Sequence, residues 1–335
     1  MSEPGFDVIG LGNAIVDVIA NAEDAFLVRQ GLDKGAMRLI DEATAERLYD
    51  EMGPGLECSG GSAANSMVAL ASLGGRAAYL GRVKDDLLGR VFAHDIRAAG
   101  VAFDSRSASD GAATARCLIL VTPDAQRTMN TFLGASTDFG VGEIDAGLIG
   151  AANVTYLEGY LWDKPAAKAA FREALGHAHA AGRKVALSLS DAFCVDRHRA
   201  EFRALIEREV DILFANEAEI RSLYQVDEFD KALQAVRKDC ELAALTRSEK
   251  GSVVVSRDEI HVVDAAPVAR VVDTTGAGDF YAAGFLYGIT HGFDLARCAR
   301  LGALAASEVI GHFGARPATS LKPLVEASAK SLPRR

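Results

Sequence analysis

The chain has 335 residues, 49% hydrophobic and 24% charged, with a formal net charge of −10 and no long run of one sign. That length holds one large α/β domain with a smaller appendage, and the acidic balance argues against the basic face that nucleic-acid binding needs. Cys58, Cys117, Cys194, Cys240 and Cys298 are scattered, with no CxxC and no zinc-like spacing, so they are expected as reduced, mostly buried thiols of a cytoplasmic protein.

The opening residues, MSEPGFDVIG, carry neither a basic nor an apolar leader segment, and no apolar run reaches membrane-spanning length. Strands are predicted over 6–11, 77–81, 154–158, 184–190, 211–214, 242–246 and 252–256. Helices are predicted between them, over 62–74, 85–99, 165–181, 216–223 and 227–238. In the first of these, Met67, Leu70, Ala71 and Gly74 follow the i, i+3, i+4, i+7 rule. After Asp273 the pattern is mostly helical, ending in a tail, SLPRR, that is expected to fray. Alternation of this kind implies an α/β fold with a mainly parallel sheet covered by helices on both faces.

Two stretches, 18–57 and 108–136, break the alternation. The second holds β-branched runs on either side of the turn Thr122-Pro123-Asp124, and both stretches look like antiparallel ribbon. They are expected to form a small β-rich lid over the C-terminal edge of the main sheet, where ligands of such folds bind. Residues 1–17, 58–107 and 137–335 would then make the main domain.

Val271-Val272-Asp273-Thr274-Thr275-Gly276-Ala277-Gly278-Asp279 joins an extended piece to a helix through a Gly-rich turn. The backbone N–H groups of Gly276, Ala277 and Gly278 can approach an anion there, aided by the helix N-terminus. Asp279, in the first helical turn, can reach a hydroxyl beside that anion, which is the pairing phosphoryl transfer requires. The competing reading makes Asp279 a partner of the helix dipole. Upstream, Cys58-Ser59-Gly60-Gly61-Ser62-Ala63-Ala64-Asn65 offers close backbone approach at Gly60 and Gly61 and an amide at Asn65, though it also suits a plain helix entry. Three lookalikes fail. Gly10-Leu11-Gly12 lacks the third glycine of GxGxxG, Asp138-Phe139-Gly140 has no HRD or APE element around it, and there is no GxxxxGK[ST].

Together the two Gly-rich segments resemble the paired signatures of the ribokinase (PfkB) family of carbohydrate and nucleoside kinases, and the resemblance covers nearly the whole chain. Within the family, Gly10–Asp17, Leu187–Phe193 and Val210–Glu217 look most like the adenosine kinase branch. The resemblance implies ATP and Mg²⁺ as cofactors, with K⁺ as a further candidate. Asp17 and Asn65, with Asn13 and the Gly60–Gly61 backbone, would hold sugar hydroxyls, and Phe193 would line a nucleobase pocket beside Gly159-Tyr160-Leu161. Asn216 and Glu219 match an Asn-x-x-Glu element that organises Mg²⁺-bound water. As residues alone they read as a helix cap. Thr246 and Gly251 fall at the ATP-binding turn, where the usual Thr-x-Gly is replaced by Thr246-Arg247-Ser248. Arg127 matches a lid arginine that meets the transferring phosphate, and Asp273 lies where relatives bind a monovalent cation.

The implied activity is ATP-dependent phosphorylation of the primary hydroxyl of a ribonucleoside, adenosine foremost, with Asp279 as base. A ribokinase- or fructokinase-like sugar kinase is the alternative within the family, and a ligand-sensing protein without turnover is the alternative outside it. The expected partner is a small nucleoside or sugar, not nucleic acid or a membrane, and the chain is expected as a monomer or homodimer.

Overall fold

In the computed structural model the described residues are 5–124 and 126–330. The tail expected to fray, and the first four residues of the opening segment, lie outside them. Their strands, in chain order, are β1 (Phe6–Leu11), β2 (Ile15–Asn21), β3 (Met37–Leu39), β4 (Gly55–Gly60), β5 (Ala77–Leu80), β6 (Val101–Ala102) and β7 (Ala115–Val121). They continue with β8 (Arg127–Phe132), β9 (Ala152–Glu158), β10 (Lys184–Ser188), β11 (Ile212–Asn216), β12 (Leu242–Thr246), β13 (Ser252–Ser256) and β14 (Ile260–Val263).

Nine strands form one sheet in the order β14-β13-β12-β11-β10-β9-β1-β5-β6. It is parallel from β12 to β6 and ends in an antiparallel β13–β14 hairpin. Central strand β1 is buried at every residue after Phe6, as expected of a parallel strand covered on both faces. Its side chains alternate between two cores. Val8 packs with Met67, Phe280, Phe285 and Leu301 on one face. Ile9 and Leu11 pack with Phe171, Phe202, Ile220 and Leu233 on the other. The expected helices therefore divide between the two faces. Phe285 sits edge-on to Phe214 with ring centroids 5.5 Å apart, and truncating it to Ala would cost about 3–5 kcal/mol. None of the described helices is long and apolar enough to cross a membrane.

The remaining strands form a second sheet, β3-β8-β7-β2-β4. β7 and β8 are antiparallel, as are β2 and β4, but β2 pairs with β7 in parallel, and β3 with β8 likewise. The small sheet is thus mixed rather than two antiparallel ribbons. β2 and β7 both start at the main-sheet side, Ile15 opposite Ala115, and so must run the same way. β2 begins at Ile15 and β4 ends at Gly60, so both strands run across the domain limits drawn from the sequence. Val16, Val18, Leu118 and Leu120 join the larger core. Ile15, Ile19, Cys117, Ile119 and Met129 pack together on the opposite face, and Asp17 shares that face by alternation. The connections entering and leaving the small sheet touch. A Cβ at Gly61, where φ is +96°, would lie 2.0 Å from the Asn13 carbonyl oxygen, so only glycine fits there.

Candidate active site

Helix Ala277–Thr290 opens on Gly276, whose left-handed backbone (φ 75°, ψ −1°) ends the preceding turn. A Cβ at Gly276 would stand 2.8 Å from that of Ala315, whereas one at Gly278 would meet nothing within 4 Å. The first is a packing requirement, and the second leaves the mouth of the helix open. Helical geometry gives the first-turn amides no carbonyl partners within the helix, and although the Ala277 N–H donates to the Thr274 carbonyl at 3.2 Å, Gly278 at the helix mouth can donate to an anion. The turn is braced by Asp273. Its Oδ1 accepts the Thr275 N–H at 2.7 Å and its Oδ2 the Gly314 N–H at 2.9 Å.

Asp279 accepts from Ser62 Oγ at 2.6 Å and from Asn65 Nδ2 at 3.0 Å. Both donors lie on the first turn of helix Ser62–Leu73, aimed by Gly60 and Gly61. Burial pushes the Asp279 carboxyl up from 3.8 to about 6, against the opposing pull of Ser62, Asn65 and Arg316. It remains ionised at neutral pH yet is more basic than a solvated carboxylate, which suits a proton acceptor. Asp17 packs on Gly60, where an added Cβ would come within 2.5 Å of its carboxyl carbon. It too rises to about 6 by burial, with Arg316 and Arg127 lowering it and Asp279 raising it.

Asn13, expected at the sugar, instead faces Glu158. Its backbone N–H and side-chain amide donate to Oε1 at 3.3 and 2.7 Å, while Ala63 N–H donates to Oε2 at 2.9 Å. Burial raises Glu158 to about 7 despite these three donors. Glu158 therefore fixes the crossing beneath Gly61. Its one sequence signal was a glutamate at the C-terminal end of a parallel strand.

Asn216 and Glu219 close a reciprocal capping box. Glu219 N–H donates to Asn216 Oδ1 at 2.9 Å, and the Asn216 N–H and side-chain amide donate to Glu219 at 2.9 and 2.5 Å. Burial, with the charges of Asp191 and Asp279, raises Glu219 to about 7 against the pull of the Asn216 N–H. Thr246 stands beside Asn216 in register. Gly251 (φ 83°) would place a Cβ 2.1 Å from the Val263 carbonyl oxygen. Ser248, where the resembling pattern has glycine, adopts φ 52°, so the left-handed turn is kept with a serine. Phe193 is 77% exposed and Tyr160 36%, both at the open rim. Arg127 pairs with Asp273, Nη2 to Oδ1 at 2.7 Å. That carboxylate thus accepts from Arg127, Thr275 and Gly314 together. Among the described residues no group of three or more His, Cys, Asp or Glu side chains is gathered to hold a metal.

Arg316 was not anticipated. It reaches from the segment after helix Leu295–Val309 to Asn65 and Ser59. Its signal would have been Gly314-Ala315-Arg316, a cation following a left-handed glycine near the expected site.

A glycine-rich turn at a helix N-terminus and two carboxylates raised to about 6, Asp279 and Asp17, make a set that can carry out phosphoryl transfer to an alcohol. The comparisons with known proteins agree. Residues 56–321 match the family model described as pfkB family carbohydrate kinase, and the chain belongs to that family. It is 52% identical to an adenosine kinase from Sinorhizobium meliloti over 96% of this chain and 99% of that one, with a TM-score of 0.89. A probable sugar kinase from Rhizobium etli CFN 42 is 49% identical over 97% and 99% of the two chains, with a TM-score of 0.90. Adenosine kinase 1 of Arabidopsis thaliana is 27% identical over 94% of this chain and 97% of its own. Membership implies ATP as phosphoryl donor and a nucleoside or sugar as acceptor.

Proposed function

We propose that the chain phosphorylates the primary hydroxyl of a ribonucleoside, adenosine foremost. The observation that carries this reading is the setting of Asp17. Its carboxylate can accept two hydroxyls of a ribose, yet the strand face it shares holds Ile15, Ile19, Cys117, Ile119 and Met129. Apolar surface beside a diol-binding carboxylate suits a flat, weakly polar base better than a free sugar with hydroxyls all round. Bound with Mg²⁺, ATP supplies the phosphoryl group. The first-turn amides of the Gly276–Gly278 segment would hold it, and Asp279 would take the hydroxyl proton. Thr246 and Gly251 would flank the nucleotide, Asn216 and Glu219 would orient water on Mg²⁺, and Phe193 would cover the base. Arg127 would exchange Asp273 for phosphate as the small sheet closes as a lid.

The 49% identity to a probable sugar kinase supports a second reading, the same chemistry on a free sugar. An ADP-release screen of the purified chain against nucleosides and sugars separates the two. Greatest kcat/KM with adenosine is expected. A hexose or pentose in first place would sink the nucleoside assignment, and no turnover with any acceptor would favour a non-catalytic ligand sensor.

A further inference from the structure

Arg316 Nη1 donates to Asn65 Oδ1 at 2.5 Å, and Nη2 donates to Ser59 Oγ at 2.7 Å and to the Ser59 carbonyl. Ser59 is itself anchored, because Asp95 Oδ2 accepts its N–H at 2.7 Å and its hydroxyl at 2.5 Å. Asp95 also lies 4.0 Å from Arg316 Nε. The guanidinium is thus aimed by strand β4 and helix Leu87–Ala98 together. A guanidinium has donors only, so it admits only the oxygen of the Asn65 amide. Nδ2 must then face Asp279, 3.0 Å away. Without Arg316 only the ionised Asp279 carboxylate selects the nitrogen, and once that carboxyl is protonated the amide is free to turn over and accept from it.

We propose that Arg316 is a positioning residue for phosphoryl transfer, holding the Asn65 amide so that its nitrogen orients the proton-accepting carboxylate of Asp279. This rests on the reading of Asp279 as the base. The Asp279 charge in turn raises the titratable groups that face it, namely Asp17 on β2, Glu158 and Tyr156 on β9, Tyr160 just beyond it, and Glu219 on the helix after β11. Arg316 is the cation that holds Asp279 down, and with Arg127 it holds down Asp17. The geometry also changes what Asn65 offers a substrate. One lone pair of its oxygen is taken by Arg316 and one Nδ2 hydrogen by Asp279, leaving one N–H and one lone pair for a sugar hydroxyl.

The test uses full-length Arg316→Met and Arg316→Lys, each checked for cooperative melting. kcat is measured from pH 5 to 9 with ATP and whichever acceptor the parent turns over best. In parallel the Asn65 side-chain ¹⁵N resonance is titrated without substrate. Arg316→Met is expected to lower kcat about tenfold at pH 6 and to move the acid limb up by about one pH unit, the effect of losing one nearby charge. In the parent the Asn65 resonance should titrate with the acid limb, and in Arg316→Met that coupling should be lost. Arg316→Lys should restore the limb but not kcat, because one ammonium cannot span Asn65 and Ser59. An Arg316→Met profile and resonance matching the parent would overturn the proposal. If that variant does not fold, the lysine variant decides it, and parent-like kcat with an unmoved resonance is the refuting result. A parent inactive on nucleosides would defeat the adenosine assignment alone, since the resonance titration needs no turnover.

Discussion

Replacing Asp279 by Asn should make the protein slower and, at alkaline pH, more stable. Burial lifts the carboxyl from 3.8 to about 6, so ionising it inside the fold costs on the order of 3 kcal/mol relative to the unfolded chain. Because the folded value is the higher one, the carboxyl's contribution to stability is complete below 3.8 and is lost as pH rises through about 6. Asparagine does not ionise and escapes that loss. It still accepts from Ser62, but its own amide nitrogen would face the Asn65 nitrogen, forfeiting one hydrogen bond of about 1 kcal/mol. The net gain at pH 8 is on the order of 2 kcal/mol, or about 3 °C in Tm for a chain of this size. It should vanish by pH 4.5, where the parent carboxyl is already neutral. Over the same range the parent kcat should fall about tenfold per pH unit below the carboxyl's midpoint. The variant, about 10²–10⁴-fold slower at neutral pH, should lack that limb. Single-turnover kinetics and melting curves at pH 4.5 and 8 supply the readouts. A rate within a few-fold of the parent, or a variant less stable at pH 8, would mean that Asp279 serves the helix dipole, a role worth about 0.3–1 kcal/mol.

Glu219→Gln preserves a side chain that can close the capping box, so Tm should hold within about 1 °C while half-maximal rate requires more Mg²⁺. An unmoved Mg²⁺ titration would leave Glu219 a cap and nothing more. Arg127→Ala strips the partner from a buried Asp273 and should cost about 3–5 kcal/mol. Assayed well below its lowered Tm, it should lose more in kcat than in nucleoside KM, and the reverse pattern would remove Arg127 from the phosphate. Phe193→Ala should leave Tm unchanged, given its exposure, and raise adenosine KM about three- to tenfold. An unchanged KM would take Phe193 out of the base pocket.

The chemistry was legible where it is local. The Gly276–Asp279 turn and the Gly60–Asn65 entry are written in consecutive residues, and small side chains at a strand–helix junction have few other uses. Strands β1, β5, β9, β10, β11, β12 and β13 announced themselves through apolar runs of the right length, whereas β3, β4 and β6 did not. What the sequence withheld were pairings across long separations. Nothing near Ile15 says that it will lie beside Ala115 in parallel, so the small sheet was expected as ribbons. Arg316 reaches Asn65 from 251 positions away, with no motif around it. Helix Ala192–Arg208 is rich in charge and breaks at His198 (φ −124°), which hides its periodicity. Asn216 and Glu219 show the opposite limit, since one pair of residues satisfies the cap and the site reading at once.

The central place of β1 has a consequence for how the chain is made. It is made before every other strand among the described residues, but one of its neighbours in the sheet is β9, with Phe6 opposite Ala152, 146 positions later (152 − 6). At about 5–20 residues per second, that edge stays unpaired for roughly 10–30 s of synthesis. Its other neighbour, β5, arrives about halfway through that interval. A nascent chain stalled before β9 would therefore present a bare strand edge that is apolar except at Asp7, the kind of surface that pairs with other chains and that chaperones shield. Truncations ending before residue 152 are expected to aggregate, and β1 is where that aggregation should begin.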